Sequence, residues 1–372
     1  MVSLNARERL SGVFEGKEID RIPTYDILHN TKLIEYLAGE KITPANAEDL
    51  LCRAANKSLD LIRHFAVPDY EGEKIVKEDD GFIYRYEWWT GHILEKPFYK
   101  KLEDVKRVIE NDIEAMVKCT EEGKICKQAN NHVNLFYEKF EYFEEVRNEY
   151  WRISEKLGSE TVMLGPEMLM GVSVAIFRHG IDWWSYLVHD MPELVFQYLD
   201  AYYEYELAFV DSYLDLEIMP FVCSAGSTGM DDRLLFSPEV FSSMILKYEK
   251  KLFKKFKENG KKIIAFLDGY KAPIIKDFID IGADAIDPFE PYCKMDVRQF
   301  RNDFPDTVAC QPIDCTQLLP FGEEKDIVNA VIKAIEDSER KKILIGSTSE
   351  VHPNVNFKNA VAMYEAARSF KL

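Results

Sequence analysis

KKIIAFLDGYKAPIIKDFIDIGADAIDPFE, residues 261–290, contains one complete unit of the architecture. Residues 263–267 are apolar and β-prone, and they end at Asp268 and Gly269. A helix is expected from about Pro273 to Gly282, because Pro suits a first helical position and Gly a C-cap. A second strand, residues 285–290, follows directly. Strand, short join, helix, short join, strand is the pattern of a parallel sheet with helical crossovers.

The same unit recurs on both sides. Residues 217–223 read as a strand, and a helix opens at Ser237-Pro238-Glu239 with an N-cap Ser and Pro at the first position. Phe241, Ile245, Tyr248, Leu252 and Phe256 then repeat at helical spacing. Residues 308–314 and 342–346 read as further strands, with helices over 323–338 and 357–370. These strands are apolar throughout, as expected where both faces are covered. In the first half, residues 21–28 and 160–165 read as strands, 81–89 as an inserted hairpin and 102–157 as charged helix. Trp88-Trp89 reads as packing or as a pocket wall. The expected fold is a single α/β domain over residues 1–372, a (β/α)8 TIM barrel with an N-terminal helical and hairpin excursion. A Gly-x-Gly-x-x-Gly turn after a strand and a Walker loop are both missing, which disfavours an open doubly wound sheet.

Composition limits the partners. The chain has 372 residues and a formal net charge of −18, which opposes nucleic acid and anionic membranes alike. The longest apolar run, residues 168–177, is about half a membrane span. Seven scattered Cys with no Cys-x-x-Cys pair suit a reducing compartment, so a cytoplasmic protein is expected.

Chemistry in such barrels collects where the strands end. Those positions hold Asp26 and His29; Glu167; Cys223 with Asp231 and Asp232; Asp268; Asp287 and Glu290; Asp314 and Cys315; Glu350 and His352. Carboxylates and thiols dominate, a set able to move protons or hold a divalent metal. Arg is scarce there, so a substrate with many carboxylates is not expected. The bland readings stand beside these: Asp268 and Asp314 as helix caps, Cys223 as a small core residue, Asp231-Asp232 as solvated charge.

Several motifs together resemble the uroporphyrinogen decarboxylase superfamily. They are NARERL at 5–10, GKEIDRIP at 16–23, LFSPE at 235–239, IDIGAD at 279–284, LLPFG at 318–322, GSTSEVHP at 346–353 and NAVAM at 359–363. The resemblance implies one of two activities. Haem-pathway decarboxylases carry an arginine-rich motif after the first strand, where this chain has ILHNTK at 27–32, and an aspartate motif after the second, which has no clear counterpart here. Their terminal Gly-His-Gly is replaced by Thr348-Ser349-Glu350. Corrinoid-linked relatives that methylate thiols bind zinc at positions occupied here by Phe266, Asp268 and Ser349. The resemblance therefore implies a methyltransferase with a changed site, working on a small methylated, methoxy-aromatic type of substrate. Asp268, Glu350 and His352 are the expected catalytic residues. Cys223, Asp268 and His352 are the expected ligands of a metal, zinc being one that accepts this mixed set. Tyr25, His29, Phe266, Tyr270, Phe289 and Glu290 are expected to hold the substrate. Cobalamin would come on a partner corrinoid protein. A decarboxylase of a small acid and a non-catalytic ligand-binding barrel are the alternatives.

Overall fold

Strands that are apolar on both faces need cover on both sides, and a ring of parallel strands inside a ring of helices provides it. The computed structural model describes residues 3–63, 74–77, 82–86, 91–95, 99–129, 140–218 and 220–372. Its parallel strands are β1 (Tyr25–Asp26), β2 (Leu61–Ile62), β6 (Val162–Met163), β7 (Glu167–Leu169), β8 (Phe221–Ser227), β9 (Lys262–Asp268), β10 (Ala285–Asp287), β11 (Val308–Cys310) and β12 (Ile343–Leu344). They pair in the order β1-β2-β6 and β7-β8-β9-β10-β11-β12. β6 and β7 are one interrupted stave, since Leu164 N donates to Ile62 O (2.8 Å) and Gly165 N to Phe221 O (2.9 Å). The ring closes where Tyr25 N donates to Ile345 O (2.9 Å) and Ile345 N to Pro23 O (3.1 Å). Eight parallel staves result among the described residues, as the sequence pattern implies.

Boundaries differ from the sequence reading in an instructive way. The strand expected over 217–223 runs instead over Phe221–Ser227, starting after Pro220. Its small polar end is needed because a helix packs close by: a Cβ on Gly226 would lie 2.6 Å from Met170 Sδ. Of the hairpin expected over 81–89, the described residues hold β4 (Ile83–Tyr86), the middle strand of an antiparallel sheet whose other strands, β3 (Lys74–Lys77) and β5 (Gly91–Glu95), lie outside those bounds. Trp88, Trp89 and Met219 lie outside the described residues. Helices Leu102–Glu122 and Phe143–Leu157 complete the excursion. Among the described residues no helix is long and apolar enough to cross a membrane.

The N-terminal helix Ala6–Glu15 plugs the barrel floor. Asn5 and Glu8 form a reciprocal capping box that starts it. Its apolar face (Leu10, Val13, Phe14) joins Leu61, Val162, Phe221, Val308 and Leu344 in one interior cluster. Each such side chain contributes about 1.5–3 kcal/mol by leaving water. Arg9 fixes the plug by donating from Nη1 to Asp60 (2.5 Å) and from Nε to Asp20 (2.7 Å). A second, larger cluster fills the layer between barrel and outer helices.

That outer layer contains two buried acids. Glu249 accepts from Ser224 Oγ (2.5 Å) and from the Tyr203 hydroxyl. Burial lifts its carboxyl to about 7, and burial lifts that of Glu206 to about 8. A raised carboxyl stabilises the fold fully below its ordinary value and loses that contribution as pH rises through the raised one. The melting temperature should therefore fall from about pH 4.5 to about pH 8 and level off above it. Glu206→Gln should make that fall smaller, as measured by calorimetric unfolding across the range.

Candidate active site

Register sets the heights of the inward-facing side chains. Ala225, Phe266 and Asp287 lie side by side on β8, β9 and β10. Asp268 lies beside Ser227, two residues nearer the strand ends. Two residues of strand are about 7 Å. The mouth therefore has a lower tier at Asp287 and an upper tier at Asp268.

Arg63 is the centre of the lower tier. It follows β2 directly and is 4% exposed. Its Nε and Nη2 donate to the two oxygens of Glu167, at 2.9 and 2.7 Å. The guanidinium carbon stands 3.7 Å from the Phe266 ring centroid, a cation–π contact. Burial opposes the charge of Arg63, but Glu167 holds the guanidinium firmly protonated. Its Nη1 has no hydrogen-bond partner among the described residues. Neither does either oxygen of Asp287, which is wholly buried, nor the hydroxyl of Tyr25. Burial lifts the Asp287 carboxyl to about 7, against the pull of Arg63, the facing Tyr25 hydroxyl and Lys271.

The upper tier is built on two touching loops. Gly269 has φ +84°, and a Cβ there would lie 2.0 Å from Gly229 O, so the loops after β8 and β9 meet backbone to backbone. Thr228 N and Gly229 N donate to Asp268 O, at 2.9 and 3.2 Å, and Tyr270 N donates to Met230 O at 2.7 Å. Lys271, fully buried, donates to Pro288 O (2.9 Å) and to Glu290 Oε2 (3.0 Å), which also accepts from Gly269 N. Burial and then the Glu290 charge raise the Asp268 carboxyl, with Lys271 and Arg63 pulling the other way. Asp268 is thus a carboxyl at the rim shifted toward its protonated form, with a cation nearby to tune it.

The opposite side of the mouth is organised differently. His29 Nδ1 meets Glu350 Oε2 at 3.0 Å. His352 donates from Nε2 to Cys315 O (2.9 Å), and its Nδ1 accepts from Asn354 N (3.2 Å). Both ring nitrogens are occupied by backbone, so His352 is a loop pin and offers no lone pair to a metal. Cys223 sits in the barrel interior, four residues below the register partner of Asp268, about 13 Å along the strand. Burial pushes its thiol well above the ordinary value, disfavouring a thiolate. The expected Cys223–Asp268–His352 ligand set is therefore not assembled. Among the described residues no three His, Cys, Asp or Glu side chains come together to hold a metal ion. The residues present do not fit the zinc site. Likewise the expected catalytic trio is divided, with Asp268 on β9 and Glu350 and His352 after β12.

The substrate residues divide too. Tyr25 and Phe266 belong to the lower tier, and Tyr270 and Glu290 to the loops of the upper tier. Phe289 does not face the mouth: it is 1% exposed and packs on Phe300 at 4.8 Å in the helix layer, because the chain turns outward after Asp287. Asp26 is a structural pin, accepting from Ser347 N (2.9 Å) and Oγ (2.6 Å) and from Tyr364 (3.0 Å) across the closing seam. Asp314 caps its own loop through Thr316, Gln317 and Leu318.

The family model for uroporphyrinogen decarboxylase (URO-D) matches residues 177–370, just over half of the sequence. The chain belongs to the uroporphyrinogen decarboxylase family. A solved methyltransferase from Methanosarcina mazei has the same fold, with a TM-score of 0.66, 15% identity and 98% of each chain covered. No curated protein matches the sequence. The matched segment includes Asp268, Lys271, Asp287 and Glu290 but begins after Tyr25, Arg63 and Glu167, so most of the lower tier comes from outside it.

Sequence reasoning missed Arg63 and Lys271, and so underestimated the cations at this rim. The signal was the short stretch Leu59-Asp60-Leu61-Ile62 with Arg63 immediately after it, too short and interrupted by Asp60 to stand out as a strand. Removing one member of a buried pair leaves an uncompensated charge, at about 3–5 kcal/mol. Glu167→Ala should destabilise the protein by that amount in urea unfolding.

Proposed function

We propose that the protein is a methyltransferase that takes a methyl group from a small methylated compound, with Asp268 as the proton donor. The observation that carries this reading is the raised, rim-placed carboxyl of Asp268 with Lys271 and Glu290 beside it. When a methyl–oxygen bond breaks, the oxygen gains an electron pair and needs a proton. Asp268, whose carboxyl burial shifts toward its protonated form, would supply it at the height where the mouth opens, and the interlocked loops at Gly229 and Gly269 keep it there. The flat faces of Phe266 and Tyr25 suit an aromatic carrier for the methyl group. A corrinoid carried by a partner protein would supply the methyl acceptor at the open side of the mouth. The fold shared with the archaeal methyltransferase supports the reading as a likeness of architecture.

Arg63 favours a second reading, decarboxylation of a small acid, because its unpartnered nitrogen could orient a carboxylate. The two part cleanly in an assay with 4-methoxybenzoate and a reduced corrinoid protein. Methyl transfer gives a methylated corrinoid spectrum and a phenol, whereas decarboxylation gives carbon dioxide and anisole. Asp268→Asn should lower methyl transfer by about 10²-fold or more, the range of a lost general acid. Carbon dioxide without methylated corrinoid would refute the methyltransferase reading.

A further inference from the structure

The lower tier presents an uncommon set of atoms. Tyr25 Oη, Arg63 Nη1 and both oxygens of Asp287 are buried and lack hydrogen-bond partners among the described residues. Buried polar groups are normally satisfied, since leaving one unmade costs about 1–3 kcal/mol. These atoms come from β1, β10 and the residue after β2, and all are neighbours of Phe266 or of one another: Arg63 stacks on the Phe266 ring, Asp287 is its register partner, Tyr25 shares its interior cluster, and Arg63 and Tyr25 both face Asp287. With its proton on, Asp287 can donate, as can the Tyr25 hydroxyl facing it and Arg63 Nη1, so an acceptor reaching this tier meets up to three donors, of which only Arg63 cannot also accept.

We propose that this tier anchors a carboxylate of the substrate, so that the compound demethylated is a small carboxylic acid carrying its methyl group at the far end. The proposal rests on the methyltransferase reading for the words "demethylated" and "methyl", but the anchor itself does not. Charge supports it. Glu167 balances Arg63, so with Asp287 protonated the inner tier carries no net charge, whereas an ionised Asp287 would repel an anion. A cationic ligand would face Arg63, and a purely apolar one would leave three donors unmade. Spacing supports it as well. The two-residue step from Asp287 to Asp268, about 7 Å, is close to the span of a benzene ring with its para substituents. A carboxylate held below would place a para ether oxygen at the height of Asp268.

Anion binding is then linked to the proton on Asp287. Facing that carboxyl are Arg63, Lys271 and Tyr25, the carboxyl of Asp26, and the thiols of Cys223 and Cys310, which burial keeps neutral. Asp26 is raised to about 7 by burial too, so a pH profile alone would mix the two acids. Asp287→Asn separates them, because an amide still donates but no longer titrates.

The experiment is titration calorimetry with 4-methoxybenzoate and its uncharged counterpart 4-methoxybenzamide, from pH 6 to pH 8.5. At pH 6 the acid should bind at least tenfold more tightly than the amide. Its affinity should fall above pH 7, approaching tenfold per pH unit. Asp287→Asn should keep acid binding and lose most of that pH dependence, while Tyr25→Phe should weaken the acid by about tenfold, the worth of one hydrogen bond to a charged group. Equal binding of acid and amide, binding of neither, or a wild-type affinity unchanged across the range would overturn the anchor. The two readings fail separately. Tight, pH-linked binding without methyl transfer removes the methyltransferase and leaves the anchor. Demethylation of anisole with no preference for the acid does the reverse.

Discussion

One charge inside the barrel determines much of what surrounds it. A guanidinium placed almost out of water must be neutralised and hydrogen-bonded, and Arg63 meets that demand through two bonds to Glu167 and the face of Phe266. Those contacts engage residues on three staves, so the interior cannot be repacked freely around them. They also leave one nitrogen and its field directed at Tyr25 and Asp287. The barrel's polarity is therefore concentrated in one tier, with apolar residues below it as far as the N-terminal plug.

The mouth is asymmetric for a related reason. On the side of β8 to β10, polar groups are organised around buried cations, first Arg63 and then Lys271. On the side where β12 returns to β1, polar groups serve closure instead: Asp26 takes donors from Ser347 and Tyr364, and His352 is held between two backbone groups. At the seam these side-chain bonds reinforce the backbone ladder that joins Pro23–His29 to Ile345–Val351. Chemistry is left to the other half of the rim.

Asp268 gains its position from its surroundings. A strand-end aspartate in water would be an ordinary carboxylate. Here the backbone-to-backbone contact of two glycine-bearing loops and the Lys271–Glu290 pair close around it, and loss of solvent is the largest influence on its proton. The same principle at greater depth brings Asp287 to about 7.

The amino-acid pattern alone determined the βα repeat, the helices over Glu324–Asp337 and Phe357–Ser369, the middle strand of the inserted antiparallel sheet and the importance of the strand ends, because these follow from local periodicity and caps. It also singled out Asp268, Tyr25, Phe266 and Glu290, which do lie at the mouth. Tertiary structure alone decided which of the strand-end residues meet. Cys223, Asp268 and His352 look equivalent along the chain, yet register separates the first two by four residues and backbone hydrogen bonds occupy the third. Phe289 follows a strand but turns outward. Arg63 and Glu167 are 104 residues apart, and only closure of the barrel makes them a pair. Periodicity reports which face a residue shares with its near neighbours, whereas burial, pairing and the proton on a carboxyl depend on what distant segments bring to it.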